Sequence, residues 1–490
     1  MIENSFKLFQ KQREYLEKMQ SARPDLFEVN KLFTEEEVLP QIGITTLDPQ
    51  RPEGFLRLYP QDFIVEEIQS DGNLSTIEPK DDVPEKPNKE KFTLYTDLIK
   101  VGISTLEAIN RLAQKLNITP NKIGYAGIKD AQALASQRIG LPGIKYEQMQ
   151  DLKCEGFFLT HFFYNKGTIE IGSLRGNRFT IFIRTKEHFP RERLREKLTL
   201  LKENGFLNYY HTQRFGGTKL LSHILGKLIL QKKYQEAIEI FLTTPNPYSI
   251  KFVQAVQLKA ERVFGHWQKM KEILEHLPYT FQNEIKVLDY LIQKPRNFLG
   301  ALIKIKDQTQ LWVYAYASLV FNQYLSWAKE NRVALPEKIP LLLSNNYQEQ
   351  RLYEATLTDD KIYNIKVALQ PFKFIQLKRR MNPTMIYPKD ILAKSLDQGV
   401  IISFTLSKGA YATTFLMNLF KLRQGLPIPE WLNKEEIDSK KILEIGTSEP
   451  ACKRLKDHIF SVLNYDQTQT KPTPLPYQGG SQTSPLTREN

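Results

Sequence analysis

The stretch Ile123–Gln137, IGYAGIKDAQALASQ, decides how this chain reads. Ile123, Tyr125 and Ile128 supply the apolar, β-favouring residues of a short buried strand. Gly124 and Gly127 mark points where the backbone must bend or approach another group closely. The run then presents Lys129 and Asp130 side by side. A carboxylate just past a strand end, next to a lysine, stays charged near neutral pH. Such a group can act as nucleophile or base without a cofactor. An aspartate after a glycine turn is also a common turn residue or helix N-cap, and spacing alone does not choose between these readings.

The chain around this stretch has 490 residues, enough for a sizeable core and two domains. Its formal net charge of +13 favours a polyanionic partner, nucleic acid before an acidic membrane surface. The lysines and arginines are dispersed, with local knots such as Lys378-Arg379-Arg380, and most of them belong to a solvated surface. Cys154 and Cys452 stand far apart with no partner at metal-ligand spacing, which argues against a disulfide framework or a zinc site and fits a reducing cytoplasm. The opening MIENSFKLFQKQREYLEKMQ has no apolar signal-peptide core, and no run of about twenty apolar residues predicts a spanning helix. Neither a GxxxxGK[ST] nor an HExxH motif occurs.

Apolar spacing predicts an amphipathic helix over residues 4–20. Strands follow at Phe55–Leu58, Phe63–Val65 and Phe92–Tyr95, the last two separated by a polar, mobile loop, Asp71–Glu90. Ser104 and Thr105 cap a helix that runs through Leu116. Further strands are expected near Gln137–Leu141, Gly156–Tyr164 and Phe179–Arg184. After Asn208 the texture turns helical, mainly over 219–330, then strand-like over Arg351–Gln370. A strand at Val400–Leu406 precedes a helix from about Ala410 to Leu422. This is an α+β pattern interrupted by a helix-rich block. The tail from about Asp466 has a disordered composition.

The spacing A-G-x-K-D-x-x-A-x-x-x-Q, filled by Ala126, Gly127, Lys129, Asp130, Ala133 and Gln137, resembles the signature of the TruD-type pseudouridine synthases. Ala135 stands where that family usually has Thr. The resemblance recurs in order from about Leu56 to Leu422. Pro60–Ile68 is similar to its P-x-D-F-x-V-x-E segment and Leu174–Thr180 to its x-x-G-N-x-F-x-I segment. Asn208–Gly216 is similar to N-Y-[FY]-x-x-Q-R-F-G, and Ser318 with Phe321-Asn322 to S-x-x-F-N. Ser403–Thr413 is similar to F-x-L-P-x-G-[SA]-[YF]-A-T, with Ser407 in place of the Pro.

The resemblance implies an α+β pseudouridine-synthase domain, an antiparallel sheet flanked by helices, interrupted by a helix-rich TruD insertion. The expected boundaries are an N-terminal helical extension over 1–53, catalytic segments over 54–208 and 376–465, the insertion over 209–375 and a disordered tail over 466–490. By resemblance Asp130 is the catalytic residue. Phe63 lies near the target nucleotide, Asn177 faces Asp130, and Tyr411 lies over the target base. Lys129 holds Asp130 ionised or reaches a phosphate, while Gln213 and Arg214 contact the RNA backbone or pin the domain junction.

The activity so implied is isomerisation of uridine to pseudouridine in the D-arm of tRNA, at position thirteen. It needs neither cofactor nor metal, and it is expected of a cytoplasmic protein, a monomer by preference, that does not engage a membrane. The alternative is a non-catalytic RNA-binding or RNA-folding protein on the same scaffold. A metal-dependent nuclease ranks below both, because the seven histidines are scattered and no acidic cluster accompanies Asp130.

Overall fold

The computed structural model describes residues 2–29, 31–85, 92–150 and 152–459. These form two compact units. One takes residues 1–48 and 207–385, and the other takes 49–206 with the described residues from 386 onward.

The first unit is built on the helix Lys306–Glu330, which buries side chains on every face, from Trp312 and Tyr316 to Leu325 and Ala328. A helix apolar all round belongs at the centre of a bundle. Its nearest partner is the helix Ser222–Leu230. There Gly226 is required, since a Cβ at that position would lie 2.0 Å from the Trp312 carbonyl oxygen. The helix predicted over 4–20 is α1 (Ile2–Ala22). It seats on this unit through Gln12, whose Oε1 accepts from the backbone N–H groups of Tyr279 and Thr280, both at 3.0 Å. After α2 (Glu35–Val38), the leader is tied to the long helix. The Asn322 Nδ2 donates to the carbonyls of Ile42 and Tyr210, each at 2.8 Å.

The expected strand character over Arg351–Gln370 is not what forms. This segment holds a 3-10 turn at Arg351–Tyr353 and the helices Glu354–Asp359 and Ile365–Leu369. Its buried residues Ile365, Ala368 and Leu369 recur at helical, not alternating, spacing, and the Asn364 side chain caps by accepting from Val367 N.

The second unit carries one large sheet. Its strands include β1 (Glu53–Leu56), β2 (Phe63–Gln69), β3 (Leu74–Ser75), β4 (Thr93–Lys100), β5 (Gly124–Tyr125), β6 (Leu134–Pro142), β7 (Phe157–Asn165) and β8 (Leu174–Thr185). With the later strands Lys389–Leu396 and Gly399–Ser407, the order is Lys389–Leu396, Gly399–Ser407, β8, β2, β6, β4, β7. The pairings along this path are antiparallel except for β2 with β6, where Ile64 sits opposite Leu134. Strands β2 and β6 therefore start at the same end of the sheet, just after Asp62 and just after the Asp130 turn.

The helix α3 (Thr105–Lys115) is capped by Ser104, whose side chain accepts from Glu107 N. It packs Ile109 and Leu112 against Leu94, Leu98, Ile139 and Phe157. Burying each such side chain contributes roughly 1.5–3 kcal/mol.

Three local expectations are revised here. The strand expected at Ile123–Ile128 shrinks to β5, which pairs with Gly140 and Ile139, and the rest is loop. The described part of the Asp71–Glu90 loop is anchored through β3, through buried Ile77 and through Thr76 Oγ1, which donates to Glu66 Oε1 at 2.8 Å. Residues 86–90 of that loop, and the tail after 466, lie outside the described residues. The helix expected from Ala410 to Leu422 spans only Ala412–Leu416, and Lys421–Arg423 forms a strand parallel to β1. Phe415, Leu416, Met417, Leu419 and Phe420 are all buried, so this segment has no polar stripe to hold a surface helix. The Arg51 guanidinium closes the helix end by donating to the carbonyls of Met417 and Phe420.

Candidate active site

Asp130 lies in the loop between β5 and β6, with its side chain 26 % exposed. Its Oδ2 accepts from Arg57 Nη2 at 2.7 Å, and its Oδ1 accepts from Gln132 N at 3.2 Å. The second bond is the local turn that an aspartate after glycine makes anyway. The first brings a cation from a residue 73 positions away.

Arg57 follows β1 and is held on several sides. Its guanidinium carbon lies 4.1 Å from the centroid of the Phe63 ring, and Nη1 donates to Gln424 Oε1 at 3.3 Å. Its side chain is only 7 % exposed. Its φ of 60° is left-handed, which costs a non-glycine residue free energy and persists only when the surroundings impose it. Phe63, whose ring also meets Phe179 edge-on at 6.3 Å, is 3 % exposed. It supports Arg57 and offers no open face of its own.

Lys129 does not pair with the neighbouring carboxylate, contrary to expectation. Its Nζ reaches Glu67 on β2 at 2.5 Å, and both side chains are buried, at 5 % and 1 % exposure. Lys129 and Asp130 are neighbours in the loop, yet their side chains take different partners, Glu67 and Arg57. The pairing partner of Asp130 is Arg57.

Glu67 sits directly opposite Asn177 on β8. Asn177 is half-buried, and its Oδ1, like Glu67 Oε1, is a buried acceptor without a hydrogen-bond partner. Tyr411 precedes the helix Ala412–Leu416 and is half-buried. Gln213 and Arg214 belong to the other unit. There Gln213 is exposed, and Arg214 Nε donates to Ser318 Oγ at 3.0 Å while its guanidinium lies 5.1 Å from the Tyr210 ring.

The rest of the signature supports the loop. Gln137 is fully buried on β6; its Nε2 donates to the Gly127 carbonyl at 3.0 Å and its Oε1 accepts from Thr105 Oγ1 at 2.7 Å. Ala135 is buried between Val65 of β2 and Lys100 of β4. Sequence reasoning missed Arg57, Glu67 and Lys100. Only Glu67 carried a signal, as the last residue of P-x-D-F-x-V-x-E. Among the described residues no group of three His, Cys, Asp or Glu could hold a metal ion. No helix among them is long and apolar enough to cross a membrane.

A carboxylate at the sheet end, paired with a buried guanidinium, suits an enzyme that works through a carboxylate. Comparison with known proteins shows the family. A family model described as tRNA pseudouridine synthase D (TruD) matches residues 42–367. "Probable tRNA pseudouridine synthase D 1" of Methanocaldococcus jannaschii is 33 % identical over 278 residues, covering 56 % of this chain and 68 % of that protein. "Probable tRNA pseudouridine synthase D" of Methanococcus maripaludis is 26 % identical and covers 75 % and 95 %. The fold matches a TruD crystal structure from Methanosarcina mazei with a TM-score of 0.59 at 20 % identity, over 78 % of this chain and 98 % of that one. The protein is thus an isomerase of the pseudouridine-synthase class. It belongs to the TruD family.

Proposed function

We propose that this protein converts a uridine in the D-arm of tRNA, at position thirteen, to pseudouridine, with Asp130 as the reacting carboxylate. The observation that carries the reading is the Arg57–Asp130 pair: a carboxylate open to solvent on one side and held by a nearly buried cation on the other. The guanidinium fixes the direction of the carboxylate while a quarter of it stays exposed. The D-arm position rests on the family resemblance, and the net charge of +13 suits a polyanionic substrate.

The reaction breaks the N1–C1′ bond of uridine and forms a C5–C1′ bond on the same ribose. A proton leaves C5 and one is taken up at N1, so nothing is gained or lost. Asp130 either attacks C1′ or removes the 2′ proton to give a glycal. The base must first leave its stack, which costs a few kcal/mol. Stacking on Tyr411 returns roughly 1–3 kcal/mol of that. Phe63 acts one step back, by holding Arg57 over its ring. Asn177 carries an amide that can both donate and accept, suited to a uracil edge. Lys129 is held by Glu67, away from the reacting carboxylate, and Gln213 and Arg214 meet the RNA backbone.

Carbodiimide-labelled primer extension on in vitro transcribed tRNA tests this, comparing wild type with Asp130→Asn. A D-arm stop that appears with wild type and disappears with the variant supports both reaction and residue. Tight tRNA binding with no stop from wild type favours the non-catalytic RNA-binding reading. A stop that persists in Asp130→Asn removes Asp130 from the chemistry.

A further inference from the structure

The turn between β4 and α3 reaches across to the Asp130 loop and takes hold of its backbone. The Lys100 side chain, the last of β4, is fully buried, and its Nζ donates to the Asp130 carbonyl at 2.6 Å and the Ile103 carbonyl at 2.9 Å. Gly102 N donates to the Ala131 carbonyl at 3.0 Å. Thr105, also fully buried, accepts from Lys129 N at 2.8 Å and donates to Gln137 Oε1 at 2.7 Å. Gln137 passes the tie on to the Gly127 carbonyl.

Four backbone groups, from Gly127 to Ala131, are therefore held, three of them through Lys100 and Thr105. We infer that Lys100 and Thr105 are positioning residues for the reaction, fixing the loop so that the Asp130 carboxylate meets both Arg57 and the ribose.

Packing alone does not account for this choice of side chains. An aliphatic residue would fill the Lys100 site without burying an amine, which is costly to desolvate. What an aliphatic residue cannot do is donate twice. An amine has at least two N–H donors in either protonation state, and the site offers two carbonyls, so it satisfies both. Thr105 likewise uses one hydroxyl in both directions, accepting from the loop and donating to Gln137. Ser104, immediately before it, already supplies the N-cap of α3, so the Thr105 hydroxyl is not needed to start that helix. Burial pushes the Lys100 amine down to about 7, against the pull of Asp130 and with the push of Lys129.

This inference rests on Asp130 being the reacting residue, and the experiment separates the two. Single-turnover pseudouridine formation and tRNA dissociation constants are measured for wild type, Asp130→Asn, Lys100→Met, Thr105→Val and Thr105→Ser. A misplacement of about 1 Å costs on the order of a hundredfold in rate. The expected result is a fall of roughly 10–100-fold in rate for Lys100→Met and Thr105→Val with tRNA affinity unchanged. Thr105→Ser, which keeps the hydroxyl, stays near the wild-type rate. If Lys100→Met does not fold, the Thr105 pair decides alone. Wild-type rates for Thr105→Val, or equal losses for Thr105→Val and Thr105→Ser, overturn the inference while a dead Asp130→Asn leaves the catalytic reading standing. An active Asp130→Asn overturns both.

Discussion

Arg57 and Asp130 form a 2.7 Å ion pair in which the cation is nearly buried and the carboxylate is a quarter exposed. The asymmetry matters. Arg57 cannot swing out to meet solvent, because Phe63 lies under it and Gln424 beside it. The Asp130 side chain, 26 % exposed, is within reach of a substrate.

Arg57→Met should therefore act on the carboxylate before it acts on the fold. Without the guanidinium the carboxylate loses the partner that fixes its direction. The rate at neutral pH should fall about a hundredfold, equivalent to roughly 2.7 kcal/mol. Arg57→Lys should restore part of this, because it returns charge without the planar fork. Single-turnover rates of the two variants at neutral pH check both.

Lys129 makes the opposite prediction. Lys129→Met leaves Glu67 as an uncompensated buried charge, so it should destabilise the second unit by about 3–5 kcal/mol. Adding Glu67→Gln should recover part of the loss, since a buried amide is less costly than a buried carboxylate. Chemical denaturation of the two single variants and the double variant gives the coupling. Additive losses would show that the pair does not act as one.

Lys100 should write itself into the pH dependence of stability. Its folded value of about 7 lies below the ordinary 10.5, and the charged groups facing it are Asp130 and Lys129. Between those two pH values the unfolded lysine holds a proton that the folded one has released. Stability contributed at this site therefore rises with pH across that window and is lowest below about 7. Wild type should gain stability relative to Lys100→Met as pH is raised from 7 to 10. Thermal melts of both proteins at matched pH show the trend, and parallel curves would contradict it.

Gly226→Ala tests the first unit by itself. The added methyl would come within 2.0 Å of the Trp312 carbonyl oxygen. Overpacking costs typically about 1–3 kcal/mol, and backbone on the receiving side has little room to yield. The melting transition of the helical unit should fall.

Much of this arrangement was legible beforehand, for definable reasons. Alternating apolar residues located β4, β6, β7 and β8, and the Ser104 cap located α3. The signature located the Asp130 loop. Its Gln137, at a fixed distance from Asp130, proved to be the residue that ties Gly127 to Thr105. What the sequence hid was long-range pairing. Arg57 sits in an unremarkable Leu-Arg-Leu run, and nothing local says that its cation will meet Asp130. Lys129 misled through adjacency, because its partner, Glu67, lies 62 positions away on β2. Residues 351–370 misled because three buried positions in one short helix are too few for a clear period, and the Asn364 cap was the signal to weigh.

The tie from Asn322 to Ile42 has a bearing on how the chain is made. The two residues are 280 positions apart, yet the leader is synthesised first. At about 5–20 residues per second, roughly 15–55 s pass before its seat exists. Val38, Leu39 and Ile42, buried in the finished protein, must wait in water through that interval. A nascent chain that holds apolar residues unsatisfied for so long is a natural client for ribosome-associated chaperones.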